Sequence, residues 1–315
     1  MFKAKKVLVS AIALALLATT GIQPSTAAPK NQARAVVQAD WLEQNVDNPK
    51  VRIIEVSTEP GIYERGHIKN AAKIVWHTDL VDTVNRDIAS AKNFQKLAQK
   101  IGINKDTTIV LYGDKNNWFA AWGAWLFNIY GATDVRILDG GRVKWEKDGR
   151  ALTTAVPAFK AGNFTTRVAD KSLRATLLQD VLPVAKKRVK ADLIDIRGAD
   201  EFSGKIFAAP GFQELAVRAG HIPGAINVPW GQNVNADGTF KTVAELKKLY
   251  ADKGVDGKQN IITYCRIGER SSLTWFVLSE ILGYNVKNYD GSWTEYGNSV
   301  GVPISNPAGT IWGNS

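Results

Sequence analysis

A chain of 315 residues has room for about two domains. Its 45% hydrophobic and 22% charged residues are ordinary for a globular protein. The formal charge of +10 comes without a dense basic run or a recognised nucleic-acid motif, which argues against a nucleic-acid partner and suits small anions or an acidic surface.

The chain opens with a short basic stretch, Met1 to Lys6, then an apolar run to Ile22, then small residues. This is the pattern of a secretory signal peptide over residues 1–27, with Ser25 and Ala27 placed for cleavage near Ala27. A membrane anchor is disfavoured because the run is short and meets a small-residue site, so no stable membrane insertion is expected. No cysteine lies near the cut, which excludes a lipoprotein. Loss of Lys3, Lys5 and Lys6 takes the charge from +10 to +7. The expected mature protein is exported, to a periplasm or the medium. An exported chain with one cysteine, Cys265, cannot close an internal disulfide.

After a lead over 28–35, residues 36–46 suggest a short strand and a helix, and VRIIEV (51–56) a buried strand. FQKLAQKIGI (94–103) has helical spacing, TTIVLYG (107–113) is a strand, and 114–132 carries a helix with Trp118, Trp122 and Trp125 on one face. DVRILDGG (134–141) is a strand running into a glycine turn. Strands alternating with helices predict a parallel α/β sheet. Residues 151–169 break the pattern and read as a linker with some β content.

The pattern then repeats. ADLIDIR (191–197) matches VRIIEV, and the Gly220-His221-Ile222 turn matches Gly66-His67-Ile68. TVAELKKLYADKGV (242–255) matches the 94–103 helix, and the strand ending at Cys265 matches the strand ending at Gly113. NVKNYDGSW (285–293) matches DVRILDGG. Two copies of one α/β domain therefore stand in tandem, 36–150 without the cysteine and 170–315 with it. His67 and His221 recur in both copies, so a shared structural role holding a turn outweighs catalysis. His77 is expected at the surface.

Cys265 ends the apolar strand run 261–264 and begins the loop Cys265-Arg266-Ile267-Gly268-Glu269-Arg270 before a second apolar run. Open α/β sheets place their sites at such strand ends. A loop curling back onto a helix start points successive N–H groups inward as an anion nest, and the helix N-terminus adds partial positive charge. Arg266 and Arg270 add two full charges. All three effects favour thiolate, so a lowered Cys265 pKa and a nucleophilic thiol are expected. A buried structural cysteine would more usually have apolar neighbours.

The duplicated domain, the GHIPGA stretch at 220–225, the CRIGER loop at 265–270 and Asp290-Gly291-Ser292-Trp293 together resemble a tandem-domain rhodanese, a thiosulfate sulfurtransferase, from about residue 36 to 300. The CRIGERSS loop followed by TWFVL is similar to actinobacterial sulfurtransferases. The resemblance implies two tandem rhodanese-like domains, each a mainly parallel sheet flanked by helices. It implies that Cys265 thiolate takes the outer sulfur of thiosulfate, releases sulfite, and passes the sulfur from a persulfide to cyanide or a thiol. It implies no metal or organic cofactor and a small anionic sulfur donor as partner. Two domains of one chain burying a common interface suggest a monomer. Arg266, Ile267, Gly268, Glu269 and Arg270 form the implied anion-binding loop, with Arg197 and Arg218 as subsidiary candidates.

Two positions depart from the family. Ile267 stands where mammalian thiosulfate enzymes have lysine. Arg266 and Ile267 stand where mercaptopyruvate enzymes have glycine and serine. Arg266 favours thiosulfate, with a 3-mercaptopyruvate sulfurtransferase or a non-turnover sulfur carrier as alternatives. The position matching the family's substrate-binding arginine is Glu201. A phosphatase is disfavoured because the loop is Cys-x4-Arg, one residue tighter than Cys-x5-Arg, and holds Glu269.

Overall fold

The computed structural model describes residues 32–213 and 215–313, and the expected leader with its cleavage site near Ala27 lies outside them. Short apolar, β-branched runs form the strands of the first half. They are β1 Val36–Val37, β2 Val51–Glu55, β3 Ala72–Lys73, β4 Val81–Asp82, β5 Asp87–Ile88, β6 Thr108–Tyr112 and β7 Val135–Leu138. Five of them make one parallel sheet in the order β1-β7-β6-β2-β3, while β4 and β5 pair as a separate antiparallel hairpin. In the second half β8 Asp192–Asp195, β9 Ile226–Asn227, β10 Ile261–Tyr264 and β11 Val286–Asn288 make a parallel sheet ordered β11-β10-β8-β9. The order repeats that of the first half. The counterpart of β1 shrinks to a single bridge between Arg174 and Asn288.

Strand β10 is buried at every position, and β6 at all but its first, because helices cover both faces of each sheet. The expected helix over 94–103 is Ala91–Lys100. It starts earlier because the Ser90 hydroxyl accepts the Asn93 N–H at 3.3 Å, and it stops where Gly102 turns left-handed (φ 75°). The helix expected over 242–255 is Val243–Ala251, opened by a Thr242–Glu245 capping box. The linker forms no regular strand. It bridges His67 at Thr153 and runs back along the first half, where Gly162 N–H bonds Gln99 and Phe164 N–H bonds Ile103.

The halves share a core. The helix Trp118–Ile129, buried apart from Phe119 and Asn128, packs along the helix Glu269–Phe276 of the second half. One continuous cluster of buried side chains runs from Ile54 and Trp122 through Cys265 and Phe276 to Val286. Trp118 meets Trp230 edge-on at 4.7 Å, the Ser272 hydroxyl donates to the Trp118 carbonyl, and Trp125 Nε1 donates to Leu173 O at 2.8 Å. The tryptophan face predicted from spacing is thus the seam. No helix among the described residues is long and apolar enough to cross a membrane.

The turn histidines are structural in both halves. His67 stacks on Tyr63 at 3.7 Å and donates Nδ1–H to its carbonyl. His221 stacks on Phe202 at 3.6 Å and does the same. His77 is exposed.

Candidate active site

Strand β10 delivers Cys265 to its C-terminal edge, and the chain turns at Gly268 (φ 96°) into the helix beginning at Glu269. A Cβ at Gly268 would lie 2.6 Å from Asp290 Cα, so the tight turn requires glycine. The segment after β11 straps the loop down. Trp293 N–H donates to the Cys265 carbonyl and Thr294 N–H to that of Arg266, both at 3.0 Å, while Cys265 N–H donates to Ser292 Oγ at 3.1 Å. Arg86, in the turn between β4 and β5 of the first half, reaches across the seam. Its Nη2 donates to Ile267 O at 2.8 Å and to Asp290 O at 3.2 Å.

Within the loop, Gly268 N–H points at Cys265 Sγ, 3.1 Å away. The thiol in turn donates to Glu269 Oε2 at 3.4 Å. Arg270 is buried beside them and forks onto Glu201, with both N–O contacts at 3.3 Å. Cys265 has no exposed surface. Burial pushes its thiol pKa up, and the Glu269 carboxylate pushes the same way. The Arg270 charge and the N–H groups of Ser271 and Gly268 pull down without overcoming them. This corrects the lowered pKa expected from sequence. That expectation counted the loop's cations and helix dipole but not desolvation, nor a carboxylate turned onto the sulfur.

The other loop residues are placed as follows. Arg266 is half-buried, donates to Gln213 O at 2.8 Å and lies over the Phe212 ring, so the full charge that acts on the sulfur is that of Arg270. Ile267 packs its side chain partly against the shared core. Arg270 also lies over Phe212, at 5.6 Å.

The two subsidiary arginines are both engaged by protein groups in this structure. Arg197 is 1% exposed, pairs with Asp195 at 2.6 Å, donates to Gly220 O at 2.7 Å and stacks over Trp293. Burial disfavours its charge, yet Asp195 holds the guanidinium's pKa above its ordinary value. Arg218 is bound to the carbonyls of Gly297, Val302, Tyr296 and Ser299 and staples the C-terminal segment. Both were singled out for charge near the right segment, and buried structural carbonyls and carboxylates compete for the same donors.

Several loop partners carried no sequence signal. Arg86 lies far away in the chain, and Phe212 and Gln213 sit in an irregular segment. Ser292 could be found only through the Asp-Gly-Ser-Trp motif. In the first half, a Cβ at Gly113 would lie 2.3 Å from the Val56 carbonyl oxygen, so the equivalent of Cys265 has no room for a side chain.

A family model described as Rhodanese-like domain matches residues 38–148 and again 180–299. A protein of Mycolicibacterium smegmatis bearing the provisional name thiosulfate sulfurtransferase is 51% identical over 271 residues, 85% of this chain and 96% of that one. The sulfur carrier protein TtuD of Thermus thermophilus is 49% identical over 275 residues, 86% of this chain and 96% of that one. Among solved structures, SseA from Escherichia coli, reported with the fold and mechanism of 3-mercaptopyruvate sulfotransferases, matches with a TM-score of 0.70 at 28% identity. The match covers 82% of this chain and 98% of that one.

Proposed function

The chain belongs to the rhodanese-like family, and from that premise we propose that it is a sulfurtransferase moving the outer sulfur of thiosulfate to cyanide or a thiol through a persulfide on Cys265. The observation that carries this reading is the chain's only thiol, set at the end of β10 with the Gly268 N–H on its sulfur. As thiolate, Sγ attacks the outer sulfur and the S–S bond of thiosulfate breaks. Sulfite leaves with the bonding pair, and the new terminal sulfur carries the negative charge. The loop N–H and the Arg270 guanidinium, both buried beside the sulfur, support this reading, since fixed dipoles and charges stabilise developing charge best where solvent screens little. The acceptor then attacks the terminal sulfur and regenerates Cys265.

The reading includes export, supported by the basic, apolar and small-residue order of residues 1–27, and a monomer, supported by the core the two halves share. Thiocyanate formation from thiosulfate and cyanide, by residues 28–315 with Cys265→Ser beside wild type, tests it. Turnover abolished by the substitution is expected. Turnover with 3-mercaptopyruvate alone would replace the donor. A carrier role is the second reading, favoured by the Thermus thermophilus relative. It would take over if wild type gains one sulfur by mass after thiosulfate treatment yet turns over neither donor.

A further inference from the structure

Glu269 is 2% exposed and lies at the entrance to the Glu269–Phe276 helix, with its Oε2 3.4 Å from Sγ. That contact is its side chain's one hydrogen bond among the described residues. Its other oxygen stands 3.9 Å from Arg270 Nε, and Arg270 itself is held by Glu201. A glutamate serving only to neutralise Arg270 would take the forked geometry that Glu201 takes instead. A carboxylate beside a nucleophile that must act as thiolate is a cost unless it has work there, since the two negative charges repel. Among the described residues, the charged groups around the pair are Arg270 on the same helix, Glu201 on the segment Ala199–Ser203, and, behind Gly268, Asp290 with its partners Arg174 and Arg86.

Resting on the sulfurtransferase reading above, we propose that Glu269 is a catalytic proton acceptor, taking the Cys265 proton as the sulfur donor is attacked and returning it when the sulfur departs. In the first half-reaction the S–H bond breaks toward Oε2, the Sγ electron pair forms the bond to the outer sulfur, and sulfite leaves with the old S–S pair. The neutral acid so formed donates a hydrogen bond to the anionic persulfide. In the second half-reaction the acceptor takes the terminal sulfur, the bonding pair returns to Sγ, and Glu269 gives the proton back. No proton enters or leaves the pocket in either step. The device lets a thiol that burial keeps protonated react without exchange with bulk water.

The test is the pH profile of kcat/KM for thiosulfate between pH 6 and 9, for wild type, Glu269→Gln and Glu269→Asp. Wild type should be nearly flat, because the proton is transferred internally. Glu269→Gln must lose the proton to solvent, so its value should rise about tenfold per pH unit and lie roughly 100-fold below wild type at pH 6, within the range of general-base contributions. Glu269→Asp keeps the carboxylate and should keep the flat profile at a lower rate. Alkylation of Cys265 by iodoacetamide needs the same deprotonation but no sulfur donor, and should give the same contrast. That arm still decides the role of Glu269 if wild type proves inactive with thiosulfate, a result that counts against the sulfurtransferase reading alone. Profiles of Glu269→Gln that superimpose on wild type in both assays overturn the proposal.

Discussion

Removing Arg197 separates a structural from a substrate-binding role. In Arg197→Leu the volume is largely kept, but Asp195, fully buried, loses the guanidinium paired with it, and the Gly220 carbonyl loses a donor. Breaking a buried pair by deleting one partner costs about 3–5 kcal/mol, because the remaining charge stays in a medium that cannot solvate it. At roughly 2–4 °C per kcal/mol for a protein of this size, the melting temperature should fall by about 6–20 °C. The first half supports the structural assignment. There Arg142 pairs with the buried Glu55 at 2.9 Å and donates to the Gly66 carbonyl at 2.6 Å, the same task beside a loop with no nucleophile. Calorimetric melts with thiosulfate kinetics below the transition make the assay, and the KM should stay within about threefold of wild type, since no substrate contact is removed. A melting temperature within about 2 °C of wild type together with a tenfold higher KM would refute the reasoning and return Arg197 to the substrate site.

Two further outcomes concern the loop. Gly268→Ala forces a side chain against the Asp290 backbone in a left-handed turn and lifts the N–H from Sγ, so kcat for thiocyanate formation should drop roughly 100-fold; activity within twofold of wild type would show that this N–H is idle. Arg86→Ala removes its hydrogen bonds to the Ile267 and Asp290 carbonyls while deleting a 3.6 Å ion pair whose buried Asp290 keeps Arg174 as partner, a loss of about 1 kcal/mol. A kcat about tenfold lower with an almost unchanged melting temperature is expected, and an unchanged kcat would mean that the loop holds its shape without the first half.

The duplication was legible because each copy repeats the same strand, turn and helix at matching spacing, and a repeated pattern is hard to mistake. The thiol's position followed from an apolar strand meeting a Gly-containing loop. Its electrostatic state did not, because a glutamate one residue after a glycine can face solvent or sulfur with equal sequence logic, and only the backbone at Gly268 decides. The protein partners of Arg197 and Arg218 were hidden for a related reason: sequence counts charges but not the buried carbonyls and carboxylates that bind them. Arg86 was out of reach because its contact joins residues 181 positions apart across the seam.

The seam built from Trp118, Trp122 and Trp125 also gives the half without a thiol a task. Each half keeps a smaller apolar cluster of its own on the far face of its sheet, but the largest cluster is common to both, so the two should unfold as one cooperative unit rather than in separate steps. A second half cut free would expose the face of its Glu269–Phe276 helix, the element that begins at the active loop. The first half thus contributes to the active loop's helix as packing surface, a role that needs no thiol of its own.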